Sequence, residues 1–352
     1  MELNGTLSGQ QINILSKVYI ALLIPSVIGS FSVLVVSIVR WRRLNEQVHL
    51  LVQLSLADLL AAVILLCTSI INKIPSNYSV LLCQFSLPLS LTFYFVSFSL
   101  VVVYAWKSKK VFQGWRERPV DDEQRQRQCV TKIDSSYVFA LVWLIPMAIY
   151  FAYVLTPFFK AALFIPMSTR VVLLPEKISY CTSCILFLHV WRDSCSDDER
   201  IHDIFIQAFL FIIVIPVMIT CSVIYYKVSK WYATREQARL FPVEGFQHSQ
   251  TTYRVVFATT RNRVLVILFC WTPALLLILL STLMIGISTI KQNSLFWLYI
   301  IQASTVSLQG FLNSMVYAWR RPNFRAAVLG ENSPLVTHRN IAFFDESLRS
   351  SF

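Results

Sequence analysis

Seven stretches of this chain are almost wholly apolar, and each is long enough to cross a bilayer: Ile14–Val39, Val48–Ile71, Leu81–Trp106, Ser136–Leu155, Ile201–Tyr226, Val264–Met284 and Leu295–Trp319. A spanning helix needs about 20 mainly apolar residues, and within lipid only a helix pairs every backbone group inside one segment. The pattern therefore predicts an all-α membrane protein, a seven-transmembrane helix bundle over residues 14–319. The further apolar stretch Ala161–Leu174 holds Pro166 and Arg170 and is read as loop. Five runs carry an interior proline, at Pro25, Pro88, Pro146, Pro216 and Pro273. Each removes a backbone hydrogen bond and bends its helix, which leaves room for an internal cavity and supplies hinges.

Composition agrees with this reading. Hydrophobic residues make up 56% of the 352 and charged residues only 14%, against roughly a quarter charged in soluble domains. Charge also sets the expected orientation. The three connections that follow the first, third and fifth runs, together with the tail, hold 23 of the 31 Lys and Arg residues. Basic loops stay cytoplasmic, so the N-terminus is expected outside and the C-terminus in the cytoplasm. The net charge of +12 then needs no nucleic-acid partner, because the anionic inner leaflet accounts for it. Residues 1–13 read as an extracellular N-terminus with no basic region ahead of a cleavable core, so the first helix serves as its own insertion signal. Residues 320–330 read as a short amphipathic juxtamembrane helix, and residues 331–352 as a disordered tail.

That topology places Cys83, Cys181, Cys184 and Cys195 on the oxidising side, an even set. Four cysteines allow three pairings; a bridge from Cys83 to Cys181 or Cys184 would tie the third helix to the long outer loop, and the remaining pair, including Cys195, could close a second bridge. Cys67, Cys221 and Cys270 fall in helices, as small packing residues. The sequons at Asn4 and Asn77 also land outside. The expected site of residence is a membrane, the plasma membrane ahead of the endoplasmic reticulum.

Asp58, in the string LSLADLL, is the residue with the clearest chemistry. An ionised aspartate at mid-helix costs at least about 2.5–3.5 kcal/mol on insertion scales, so it must face the interior and find a cation, a proton or polar partners. A protonated aspartate that only packs helices would meet the same demand. Ser30, Ser97, Asn313 and Gln309 are candidates to line that core. Trp271 lies two residues before Pro273, where the bend would aim its ring inward as a lever or simply as a core aromatic.

These strings together resemble the rhodopsin-like (class A) G protein-coupled receptors over nearly all of the membrane portion. Gly29-Ser30-x-x-Val33, Leu54–Leu59, Cys83, Trp143, Pro216, Cys270–Pro273, and Asn313-Ser314-x-x-Tyr317 followed by Phe324-Arg325 stand in order at matching intervals. The resemblance implies an allosteric sodium ion at Asp58, Ser97 and Asn313, and a switch formed by Trp271, Pro273 and Tyr317. It also implies an unknown extracellular ligand and a heterotrimeric G protein as partners besides the lipid bilayer. Two usual sodium contributors are changed, to Ser30 and Gln309. At the cytoplasmic end of the third helix Lys107-Ser108-Lys109 replaces the acid-Arg-aromatic string, and Arg261 and Arg263 stand where an acidic partner is usual. Lys107, Lys109, Arg261 and Arg263 are then the candidate coupling residues, although an ammonium is no equivalent of a guanidinium fork. The string from Gln309 to Asn313 also resembles the secretin and cyclic-AMP receptor families.

The expected function is transmission of a ligand signal across the bilayer by helix rearrangement; the alternative is a non-coupling seven-helix scaffold or interaction protein. An enzyme is not expected, because all five histidines fall in loops, tails or helix ends and Asp58 is the one deep carboxylate. A transporter or channel would call for more intramembrane charge or broken half-helices. Phe93, Tyr94 and Trp297 are placed by position alone as residues lining a ligand cavity.

Overall fold

The computed structural model describes residues 7–39, 47–73, 79–114, 137–155, 185–187, 205–237, 262, 264–280 and 295–316. These residues are almost entirely helical. Helix α1 spans Gly9–Val39, α2 Gln47–Ile71, α3 Ser79–Gly114 and α4 Tyr137–Leu155. Helix α5 begins at residue 205, widens into a π-helix over Leu210–Val214 and continues as Ile215–Gln237. Helix α6 is Val264–Leu280, and α7 consists of Phe296–Ser307 and Gln309–Ser314, separated at Leu308. Among the described residues five helices, α1 to α5, are long and apolar enough to cross a membrane, and α6 is a shorter apolar helix. The chain is thus an all-α, multi-pass membrane protein.

Its faces are inverted relative to a soluble bundle. Ile24, Ile28, Phe31 and Ile38 of α1 and Ile212 and Ile219 of α5 are exposed, whereas Asp58, Ser97, Gln302, Gln309 and Asn313 are buried. Apolar surface of that extent, wrapped round a polar interior, is what a lipid solvent requires. Helix α3 is the central rod, with 67% of its apolar window buried, and α4 is peripheral, with 17%. Helix α1 packs on α2 and on both pieces of α7, α2 packs on α3, and α3 on α5.

Helix ends depart from the apolar runs where lipid no longer dictates them. Helix α3 continues eight residues past Trp106 to Gly114, so Lys107 and Lys109 extend a helix where a loop was expected. A helix needs an apolar surface only inside the bilayer, so its backbone can continue past the apolar run. The π-helix in α5 lies immediately ahead of Pro216. A proline there has no N–H to donate and its ring crowds the carbonyl of Ile212. The wider turn, in which the Ile215 N–H reaches back to the Leu210 carbonyl, relieves that crowding.

The break in α7 has a different cause. An unbroken helix would join the Phe311 N–H to the Ser307 carbonyl. Instead the Ser26 hydroxyl of α1 stands between them, accepting from the Phe311 N–H at 3.1 Å and donating to the Ser307 carbonyl. A side chain inserted into the ladder is a recognised origin of a kink, and here it replaces the sequence expectation of one continuous helix Leu295–Trp319. The two helices must lie very close for a serine to reach. A Cβ on Gly29 would come within 3.3 Å of the Ser314 side chain, and one on Gly310 within 2.8 Å of Ser30 Oγ. Small residues at such a seam let backbones approach without a hydrophobic drive.

This seam makes a testable demand. Gly310→Ala should lower thermal stability by about 1–3 kcal/mol through overpacking, and Ser30→Gly in the same chain should recover part of that loss. Melting curves of the single and double variants in one detergent measure both; equal additive losses would place the clash elsewhere.

Candidate functional site

The buried polar centre is assembled from four helices. Asp58 comes from the middle of α2, Ser97 from α3, Trp271 from α6, and Gln309 and Asn313 from the second piece of α7. Gln309 and Asn313 are four apart and so share one face, and the break at Leu308 precedes both. The Ser97 hydroxyl donates to Asp58 Oδ1 at 2.8 Å, Gln309 Nε2 to the same oxygen at 3.2 Å, and Asn313 Nδ2 to Oδ2 at 2.7 Å. Gln309 Nε2 also lies 3.4 Å from Ser97 Oγ. The partners of Asp58 are therefore three neutral side chains. Hydrogen bonds to a charged group contribute about 1.5–3 kcal/mol each, so three suffice to offset the insertion cost of about 2.5–3.5 kcal/mol.

Gln309 carries the centre to a second element. The Trp271 indole N–H donates to Gln309 Oε1 at 2.6 Å. An indole N–H can only donate and an ionised carboxylate can only accept, so the carboxamide has one workable orientation, oxygen toward Trp271 and nitrogen toward Asp58. Asn313 Oδ1 and Ser30 Oγ are buried acceptors without a hydrogen-bond partner among the described residues.

Four aromatic rings surround Trp271. Tyr94 and Phe98 of α3 meet it edge-on at centroid distances of 5.3 and 4.9 Å, and Phe209 of α5 lies at 6.3 Å. The fourth, Phe187, belongs to the connection between α4 and α5 and meets the indole edge-on at 6.2 Å. Ile185, Leu186 and Phe187 are all buried. Phe187 is the one non-glycine residue with positive φ among the described residues, at 67°, a conformation uncommon for a bulky side chain.

The sequence-predicted residues divide clearly. Asp58, Ser97 and Asn313 are brought together, and Trp271 is joined to them through Gln309. Pro273 lies in α6 one half-turn beyond Trp271. Cys83 is buried and disulfide-bonded, while Cys67, Cys221 and Cys270 are free. The two expected partners of Cys83, Cys181 and Cys184, together with Cys195, the sequons Asn4 and Asn77, Arg261, Arg263 and Tyr317, lie outside the described residues, as do residues 320–330 and the tail. Among the described residues no cluster of three or more His, Cys, Asp or Glu is arranged to hold a metal. Of the three residues placed by position in a ligand cavity, Tyr94 contacts Trp271, and Phe93 turns toward Trp143 of α4 at 6.3 Å. Trp297 is 73% exposed, because it stands two residues from buried Tyr299 and so nearly opposite it on the helix.

Sequence reasoning missed two features. Tyr19 and Gln302 form a buried pair between α1 and α7, the phenol donating to Oε1 at 3.2 Å and Nε2 donating to the phenol oxygen at 3.0 Å. A tyrosine and a glutamine at interior phase in two apolar helices was the available signal. The burial of Ile185–Phe187 had no signal beyond an apolar triplet in a loop.

A bundle of apolar-surfaced helices closed round one partnered carboxylate is a polytopic helical membrane protein. The chain belongs to the transmembrane protein 116 family (TMEM116), whose model matches residues 13–337, nearly its whole length. This overturns the membership in the rhodopsin-like receptors that the motif strings implied. Each string answers a demand that any kinked helical bundle can make: a buried aspartate wants hydroxyl and amide donors, a proline kink makes room for a tryptophan, and small residues close a seam.

The centre predicts a specific pattern of rescue. Gln309→Glu keeps the acceptor for Trp271 but turns a second acceptor on Asp58, and should cost at least about 3 kcal/mol. Asp58→Asn restores a donor between the two and should recover most of it. A double-mutant cycle from thermal or denaturant unfolding checks this; additive losses would mean that the two side chains are not in contact.

Proposed function

We propose that the protein is a non-coupling membrane interaction protein, a helical scaffold of seven spans whose bundle is locked from within by Asp58. The observation that carries this reading is the saturation of Asp58 by side chains of α3 and α7, with Gln309 binding the same lock to α6. Both carboxylate oxygens accept hydrogens from neutral groups, and the Gln309 amide nitrogen lies between Asp58 Oδ1 and Ser97 Oγ, the position from which a cation would bridge those oxygens. The arrangement does not call for the sodium ion implied by the receptor resemblance, and no step is assigned to one. The positive-inside count supports an outside N-terminus and a cytoplasmic C-terminus, with the plasma membrane as the expected residence. The basic segments 107–134 and 227–263 would lie along the anionic inner leaflet.

A second reading has one observation in its favour. Trp271 connects an aromatic cluster, including a loop residue, to Asp58 through a single carboxamide, so a displacement at the cluster would reach α2 and α3. Transmission of an extracellular ligand's signal to a heterotrimeric G protein through Lys107, Lys109, Arg261 and Arg263 would use that connection.

One experiment separates the two. Nucleotide exchange is measured across a panel of Gα subunits in membranes with verified surface display of wild type, Asp58→Asn and a Lys107/Lys109→Ala double variant. The scaffold reading expects exchange no faster than in membranes lacking the protein. It also expects wild type to melt alike in sodium and choline chloride, with Asp58→Asn melting lower in both. Exchange by one Gα that the double variant abolishes would replace it with the transmission reading. Sodium stabilisation that Asp58→Asn removes would establish a cation at the centre.

A further inference from the structure

Phe187 is in an unusual position for a loop residue. It sits in a connection between two helices, yet it is buried beside Trp271, the largest of the fully buried side chains among the described residues. It holds this place with a backbone conformation that glycine adopts freely and phenylalanine rarely does. Strain of this kind persists only where the surroundings over-determine it, and here the surroundings are apolar and aromatic. Ile185 and Leu186 are buried with it. The rings at Trp271 stand at 4.9–6.3 Å, within the range of edge-to-face and offset contacts. The indole's one polar atom is already committed to Gln309, so what Trp271 presents to Phe187 is apolar.

We infer that the aromatic cluster of Tyr94, Phe98, Phe209 and Trp271 is a binding site for a neutral aromatic group, and that the chain fills it with its own Phe187. The ligand class follows from the lining. Phe98 and Phe209 carry no polar group, the Trp271 N–H is taken by Gln309, and the Tyr94 phenol is the remaining polar group among the four; no cationic or anionic side chain is among the described ring contacts. A flat, uncharged aromatic of phenyl to indole size reproduces the ring that now occupies this place. The tethered ring has the advantage of effective concentration, so a free ligand of the same class enters only when Phe187 is absent or withdrawn. This inference goes beyond the scaffold reading and does not depend on it, since a bundle with or without G protein coupling would hold the same site.

The test uses the full chain in lipid nanodiscs and indole as the probe. Phe187→Gly removes the ring and, at φ of 67°, relieves the backbone instead of straining it. Its melting temperature should fall by roughly 5 °C or more, as for loss of a buried phenylalanine. Millimolar indole should raise it again by at least about 2 °C while leaving wild type unchanged. Phe187→Leu, which keeps the space largely filled, should melt near wild type and ignore indole. Recovery of folded Phe187→Gly only when indole is present would be the same result in stronger form. If it is recovered under neither condition, Phe187→Ala takes its place with the same two outcomes. A glycine variant that melts like wild type, one that is destabilised yet indifferent to indole, or a wild type that responds equally would each overturn the inference.

Discussion

A carboxylate in the middle of a lipid-embedded bundle cannot be left to solvent, and the interior of this protein is organised around that constraint. Asp58 needs donors on both oxygens, and α2 itself supplies none. They come from α3 and from the second piece of α7, which fixes the rotation of both helices about their axes. Once Gln309 is committed to Asp58 through nitrogen, its oxygen must face a donor, and Trp271 of α6 supplies it. Four helices are thus oriented by one ionisable group and a chain of directional hydrogen bonds. Apolar packing alone would be a weak guide here, because lipid tails solvate leucine as well as another helix does.

The α1–α7 seam is what brings Gln309 and Asn313 into reach. Ser26 supports the interrupted ladder of α7 from outside the helix, and Gly29 and Gly310 remove the side chains that would hold the two helices apart. The seam and the polar centre are therefore linked: a change at Gly310 acts on Asp58 without touching it. The Tyr19–Gln302 pair fastens the same two helices nearer the start of α7.

Much of the fold was legible as hydropathy, because the length of an apolar run is set directly by the thickness of the medium. The demand of Asp58 for polar partners was legible because a mid-helix carboxylate cannot face lipid; the runs hold many hydroxyls and amides, and of the four candidates named Ser30 does not reach it. The role of Gln309 as a two-way connector was not, because it depends on which end of an amide faces which helix, and only the assembled bundle decides that. The break at Leu308 has no proline at the site, and Gly310 within the interrupted turn does not by itself specify it; the inserted hydroxyl comes from some 280 residues away in α1. Helix ends beyond the bilayer were misjudged because an apolar count stops where the lipid stops while the backbone continues. Family membership was misread because local strings report local physical demands, whereas membership is a property of the whole chain.

The sequence separation of the Asp58 contacts has a consequence for biosynthesis. Ser97 follows Asp58 by 39 residues, but Gln309 and Asn313 follow by 251 and 255. At about 5–20 residues per second, the ribosome needs roughly 10–50 s to deliver them. Until they arrive, Asp58 can have at most the Ser97 hydroxyl of its three donors. A chain terminated before α7 would keep that defect permanently and leave the Trp271 indole without its acceptor as well. Helix α7 therefore does more than add length: until it arrives, both Asp58 and Trp271 lack partners that the finished bundle supplies.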